Sequence, residues 1–276
     1  MYGFPGSRSP AKTAGLCLAL SLTLALGACK SVGDITGSLR PGSVAAPTDE
    51  TSLRAYADSW GRKYDQNPSD KMTALTYAAA LRRLTQYAQA TAVLQRAAAK
   101  FPDDLEVLGA YGKALADAGR WQEAADVLSR AQTPERPNWS ILSALGSVSD
   151  QLGDHPAAQE YYRAALKIVP DQPSVLSNLG LSYALAKTLP SAEEALQRAV
   201  AQPAADMRVR QNYALVLALE GKFNEAEVIS RRDLSPQDAA ANVASIRQMI
   251  AQSDTWRDIQ KLDAKGRRNG AATAAR

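Results

Sequence analysis

A repeat of thirty-four residues constrains this chain more than any other feature. Five segments starting at 71, 105, 139, 173 and 207 can be written under one another. The eighth position then reads Ala78, Gly112, Gly146, Gly180 and Ala214, and the twentieth reads Ala90, Ala124, Ala158, Ala192 and Ala226. The twenty-fourth carries Leu94, Leu128, Tyr162, Leu196 and Ser230, and the twenty-seventh Ala97, Ala131, Ala165, Ala199 and then Asp233. Pro102, Pro134, Pro170 and Pro203 close four of the segments, or nearly so. Small residues at fixed spacing let two helices approach closely, and the larger side chain four residues on fills the groove between them. Gly119, Gly153 and Gly221 fall where the two helices of a hairpin must turn, since glycine takes the left-handed cap freely. Each proline then ends a second helix.

The ends of the repeat region are irregular. Pro68 lies 34 residues before Pro102, so "LRAYADSWGRKYDQNP" reads as a lone second helix with Trp60 at the large apolar position. After the fifth segment, "PQDAAANVASIRQMIAQ" places Val243, Ile246 and Ile250 at helical spacing and reads as a capping helix. Trp256, Ile259 and Leu262 extend that pattern by one short helix.

The pattern of small residue, alanine, large apolar residue, alanine and proline resembles the tetratricopeptide repeat. The resemblance covers about 165 residues and implies an all-α superhelix. The organisation expected is a half-repeat helix over 50–70, five repeats over 71–235 (71–104, 105–138, 139–172, 173–206, 207–235) and capping helices over 236–263. The basic stretch 264–276 reads as a disordered tail.

The first residues decide the compartment. Arg8 and Lys12 precede the apolar run Ala14–Ala28, which is too short to span a bilayer and reads as a secretory signal over 1–28. Its end, Leu26-Gly27-Ala28-Cys29, resembles the lipobox of bacterial lipoproteins. That resemblance implies a diacylglycerol on the Cys29 thiol and cleavage just before it. Ordinary cleavage near Ala28 and an uncleaved anchor are the alternatives. Lys30, in place of the aspartate that retains enterobacterial lipoproteins in the inner membrane, points to the outer membrane, facing the periplasm. Residues 29–49 are rich in Gly, Ser and Pro and read as a flexible tether with a reach of about 25 Å. With Cys17 lost with the signal and Cys29 lipidated, no disulfide or cysteine metal site is expected.

Chemistry is sparse in the body of the chain. Its net charge of +4 comes from both ends, leaving about −2 for residues 29–256, and a nucleic-acid groove needs a basic stripe. His155 is the only histidine and is expected on the surface of a turn. One histidine neither builds a zinc cage nor serves as a base without an oriented partner. No phosphate-binding glycine loop is present. No cofactor, no small-molecule substrate and no enzymatic activity are expected.

Protein partners are expected instead. In tetratricopeptide proteins, set positions of the first helices face a concave groove. Carried over, those positions bring Asn178 and Asn212 to equivalent places one period apart, flanked by Leu181, Leu185, Leu215 and Leu219. The resemblance implies that such asparagines hydrogen-bond a bound backbone while the leucines take its side chains. Gln211, Arg208 and Lys113 belong to the same candidate peptide-binding surface, although the full carboxylate-clamp pattern is absent. A lipid anchor, a short tether and about five repeats together resemble the pilus-assembly lipoproteins of the Flp/Tad secretion system, which implies secretin or pilus components as partners. An adaptor that regulates a peptidoglycan hydrolase or protease is the alternative.

Overall fold

The computed structural model describes residues 46–252. The signal sequence, Cys29, most of the tether, Trp256 and the basic tail lie outside the described residues. The described chain is an all-α solenoid. A single helix α1 (Glu50–Gln66) precedes five antiparallel pairs. These are α2 (Lys71–Arg83) with α3 (Tyr87–Lys100), α4 (Leu105–Asp117) with α5 (Trp121–Arg130), and α6 (Trp139–Gln151) with α7 (His155–Ile168). They continue with α8 (Pro173–Leu185) and α9 (Leu189–Val200), then α10 (Met207–Leu219) and α11 (Phe223–Ser230). A last helix, α12 (236–252), runs to the end of the described residues. Among these residues no helix is long and apolar enough to cross a membrane.

Local signals recur with the same period. The residue before each first helix is Asp70, Asp104, Asn138, Gln172 or Asp206. Four of the five accept a hydrogen bond from a backbone N–H of the first turn, as N-caps do; Gln172 makes no such bond, and Pro173 after it opens the helix with no N–H to satisfy. The turns inside the hairpins all carry a left-handed residue at one position: Thr85, Gly119, Gly153, Lys187 and Gly221, with φ of 59°, 75°, 84°, 62° and 81°. Three are glycine, and two repeats hold a side chain in that conformation.

The helix crossings account for the small residues. A Cβ on Gly112, Gly146 or Gly180 would lie 2.6 Å from Leu128, Tyr162 or Leu196, the large residue of the same repeat. The twentieth-position alanines are fully buried in all five repeats. The loss of apolar pattern in the fifth repeat has a physical counterpart. Asp233 takes the place of an alanine and Arg210 the place of a leucine, and the two form a fork-shaped ion pair at 2.6 and 2.7 Å. The Asp233 side chain is only 11% exposed, so a charged pair substitutes there for an apolar contact.

Candidate protein-binding groove

Each first helix touches the next first helix: α2 meets α4, α4 meets α6, α6 meets α8 and α8 meets α10. Each second helix packs on the first helix of the next repeat, and successive second helices stand further apart, with Lys222 at the start of α11 reaching Glu193 of α9 at 2.6 Å. The first helices therefore form the inner, concave wall, and the stack splays outward along the second helices.

That wall is cross-braced by polar bonds. Lys71 Nζ donates to Asp104 and Glu106 at 2.8 and 3.0 Å, and Arg82 Nε to Asp117 at 2.5 Å. Lys113 Nζ donates to Ser140 Oγ at 2.7 Å. Further along, Asn178 Nδ2 lies 3.4 Å from Ser143 Oγ, Ser182 Oγ donates to Asp150 at 2.7 Å, and Asn212 Nδ2 donates to Ser177 Oγ at 2.9 Å. Asn178 and Asn212 thus each join their own first helix to the one before it. A bound backbone could use their remaining carbonyl and N–H capacity.

A cavity of about 790 Å³ opens in the wall across α2, α4 and α6. Leu75, Ala79 and Arg82 form one side, Glu106, Gly109 and Lys113 the floor, and Arg136, Asn138 and Ser140 the far side. It lies where α5 stops at Arg130, four residues short of the matching end of α3 at Lys100. The loop that replaces the missing turn holds Pro134 and Pro137 and is pinned by an antiparallel bridge between Thr133 and Arg136. Gln132 Oε1 accepts from the Asn138 N–H at 3.1 Å.

Lys113 sits deep in this cavity. Burial, with the Arg82 guanidinium adding repulsion, lowers its ammonium to about 8 against the opposing pull of Asp117. Asp104 stays below the usual carboxylate range: burial opposes this, but the Lys71 ammonium and two backbone N–H bonds outweigh it.

The remaining predicted residues sit further along. Leu181 and Leu215 are half-buried, and Leu215 packs on the core formed by α10, α11 and α12. Leu185 and Leu219 are exposed at 54% and 40%, one repeat apart at the ends of α8 and α10. Arg208 and Gln211 lie half-buried on α10, away from the cavity. The structure thus brings Lys113 together with Arg82 and Ser140, and places Asn178, Asn212 and the leucines on a separate stretch of the wall.

His155 departs from expectation. It opens α7 with its side chain 24% exposed, and Nδ1 lies 2.9 Å from the Asp150 carboxylate. Tyr162 OH and Ser182 Oγ donate to the same carboxylate, at 3.1 and 2.7 Å. Burial and the Asp150 charge push the Tyr162 phenol well above its ordinary value. The order of bonds is Ser–Asp–His, with the aspartate in the middle. A nucleophilic relay needs the histidine against the serine, so this group is a clasp between repeats. Among the described residues no three His, Cys, Asp or Glu side chains are placed to share a metal ion.

Tetratricopeptide-repeat family models match residues 77–145 and 144–208. No curated protein matches the chain. Among solved structures, TTC0263, a thermophilic tetratricopeptide protein of Thermus thermophilus, is 22% identical at a TM-score of 0.57, over 64% of this chain and 98% of that one. PilW, described as a widely conserved type IV pilus biogenesis factor, is 17% identical at a TM-score of 0.61, over 70% of this chain and 91% of its own. At these identities the likeness is one of fold.

Proposed function

We propose that this tetratricopeptide-repeat protein is a membrane-anchored periplasmic scaffold that holds a protein partner in its groove during assembly of a Flp/Tad-type pilus or secretion apparatus. The role is like that of a secretin pilotin, and the chain is of the TadD type. The observation that carries the reading is the cavity across α2, α4 and α6, whose charges are largely matched within the wall. Matched charges with apolar side chains between them suit a protein segment of mixed character. A nucleic-acid backbone would call for a run of uncompensated cations. The exposed Leu185 and Leu219 stand on a separate stretch, at the ends of α8 and α10.

The anchor and the pathway rest on sequence. The lipobox-like end at Cys29 supports an outer-membrane lipid anchor, and the tether supports a body held near that surface. The pilus assignment rests on the resemblance to Flp/Tad lipoproteins; the pilus biogenesis role of PilW adds a shared theme.

The test is a cross-linked capture from native membranes, identified by mass spectrometry, with wild type beside Cys29→Ser. Secretin or pilus subunits held by the lipidated form and lost in Cys29→Ser are the expected result. Recovery of a cell-wall hydrolase or protease would replace the pilus role with the adaptor role. Equal capture by both forms would remove the anchor from the mechanism.

A further inference from the structure

The turns inside the hairpins share one edge of the solenoid. Lys71 with Asp104 joins the starts of two first helices, and Arg82 with Asp117 joins their ends. Lys222 with Glu193 likewise joins two second helices near their starts. Successive hairpins are therefore stacked in register, with the ends of the first helices along one edge and the loops between repeats along the other. The turn edge carries a row of leucines. Leu152 follows the end of α6 and is exposed, and the exposed Leu185 and Leu219 are the last residues of α8 and α10. Three consecutive repeats thus each present a large apolar side chain to solvent. The ends of α2 and α4 carry Arg83 and Asp117 instead.

Two further observations bear on what covers this row. Lys187, in the turn between α8 and α9, holds a left-handed backbone at φ 62°, where three of the other hairpins have glycine. Glycine would relieve that conformation, so the position keeps a side chain against its backbone preference. The lysine is exposed and stands two residues from Leu185. The acids of the turns after α6, α8 and α10 are engaged: Asp154 accepts from the Ala157 N–H, and Glu220 pairs with Lys222 at 2.9 Å. The chain also enters at this edge, since Arg83 at the end of α2 donates to Pro47 O at 2.7 Å. Residues 30–46 separate that point from Cys29, and a chain of that length reaches roughly 25 Å.

We propose that the turn edge rests on the membrane, with Leu152, Leu185 and Leu219 in the headgroup region of a phospholipid surface and Lys187 against its phosphates. The proposal rests on the anchored reading of Cys29 given above. A protein segment would also cover a row of leucines. The tether decides for lipid, because it holds this edge close to the surface whether or not a partner is present. The contact leaves the cavity in use: its lining includes Asp103, Arg136 and Asn138 from the loops of the opposite edge, so it stays open to a partner arriving from the aqueous side.

The test reconstitutes the full chain in vesicles of phosphatidylethanolamine and phosphatidylglycerol. A photoreactive benzophenone side chain is placed at Leu185 or, as the control, at the exposed Ala204 in the loop between α9 and α10. After irradiation, mass spectrometry should find phospholipid adducts at position 185 in about fivefold or greater excess over position 204. Lys187→Glu should lower the yield at position 185 about twofold or more and leave melting unchanged. Equal yields at the two positions overturn the proposal. So does an adduct at position 185 to a second copy of the chain in place of lipid. The anchor is read separately, as a diacylglycerol mass on Cys29. An unlipidated Cys29 with the excess kept at position 185 removes the anchor and leaves the membrane edge; a lipidated Cys29 with equal yields does the reverse.

Discussion

From α2 to α6 the first helices are joined chiefly through charged groups; from α6 to α10 they are joined by Asn178 to Ser143 and Asn212 to Ser177, with Asp150 at the seam. The first stretch encloses a cavity and the second presents exposed leucines. The backbone repeat is the same in both. What differs is how each wall is satisfied when empty. Half-buried ion pairs fix their own geometry and hold a cavity open without a ligand. Amide-to-hydroxyl bonds cost little to exchange for a ligand's bonds, each being worth about 1 kcal/mol. The N-terminal stretch is therefore preformed, and the C-terminal stretch is exchangeable.

Breaking the seam should have the largest effect. Asp150→Ala strips the acceptor from Ser182, Tyr162 and His155 together and should cost about 3 kcal/mol or more. Trp60, Trp121 and Trp139 all lie before the seam, and Trp256, the fourth, is replaced by phenylalanine for the measurement. Denaturation followed by tryptophan fluorescence and by circular dichroism should then give separate midpoints, where the parent gives one. Coincident midpoints would mean that the two stretches are coupled through other contacts.

Lys113→Met sharpens the contrast from the N-terminal side. The Lys113 ammonium titrates near 8 in the folded protein and near 10.4 unfolded. Between those values the unfolded chain holds the extra proton, so the parent should gain stability as pH rises from about 8 to about 10.4. Below that window the buried charge carries its full cost. The methionine variant should be more stable at pH 7 by about 1 kcal/mol or more and should lose this pH dependence. Unfolding midpoints measured across the window decide it.

Asn178→Ala with Asn212→Ala addresses the C-terminal side. Loss of two inter-helix bonds should cost up to about 1 kcal/mol each in urea denaturation, with helicity kept. Capture of the partner should fall by more than that stability change accounts for. The smallest effect expected is at the turns. Thr85→Gly and Lys187→Gly, one in each stretch, relieve a left-handed side chain and should each raise stability by up to about 1 kcal/mol. A shift in the unfolding midpoint, positive and alike at both sites, checks this.

Much of the fold is legible from spacing alone. The eighth, twentieth and twenty-fourth positions mark helix crossings because only small residues admit the facing side chain, as at Gly146 under Tyr162. The N-caps are equally periodic and carry a known preference for Asp and Asn, yet they are easily lost among surface acids. The site is harder. Its cavity depends on where α5 stops, which two prolines set without saying what opens behind them. Ser at the fifth position followed by Asn at the sixth of the next repeat, as in Ser143 with Asn178 and Ser177 with Asn212, is the signal for the neutral braces. Asp233 reads as decay of the pattern when Arg210 is not seen opposite it, because an ion pair between distant positions leaves no periodic trace. His155 likewise cannot be placed without Asp150.

The staggered contact between repeats has a mechanical consequence. Each second helix packs on the first helix of the next repeat as well as on its own partner, while first helices touch first helices along the inner wall. Every hairpin is therefore seated on its neighbour along two lines, like a tread resting on the stair below. A tilt of one hairpin carries the next with it, so a load applied between the two ends is shared along the stack and not concentrated at one joint.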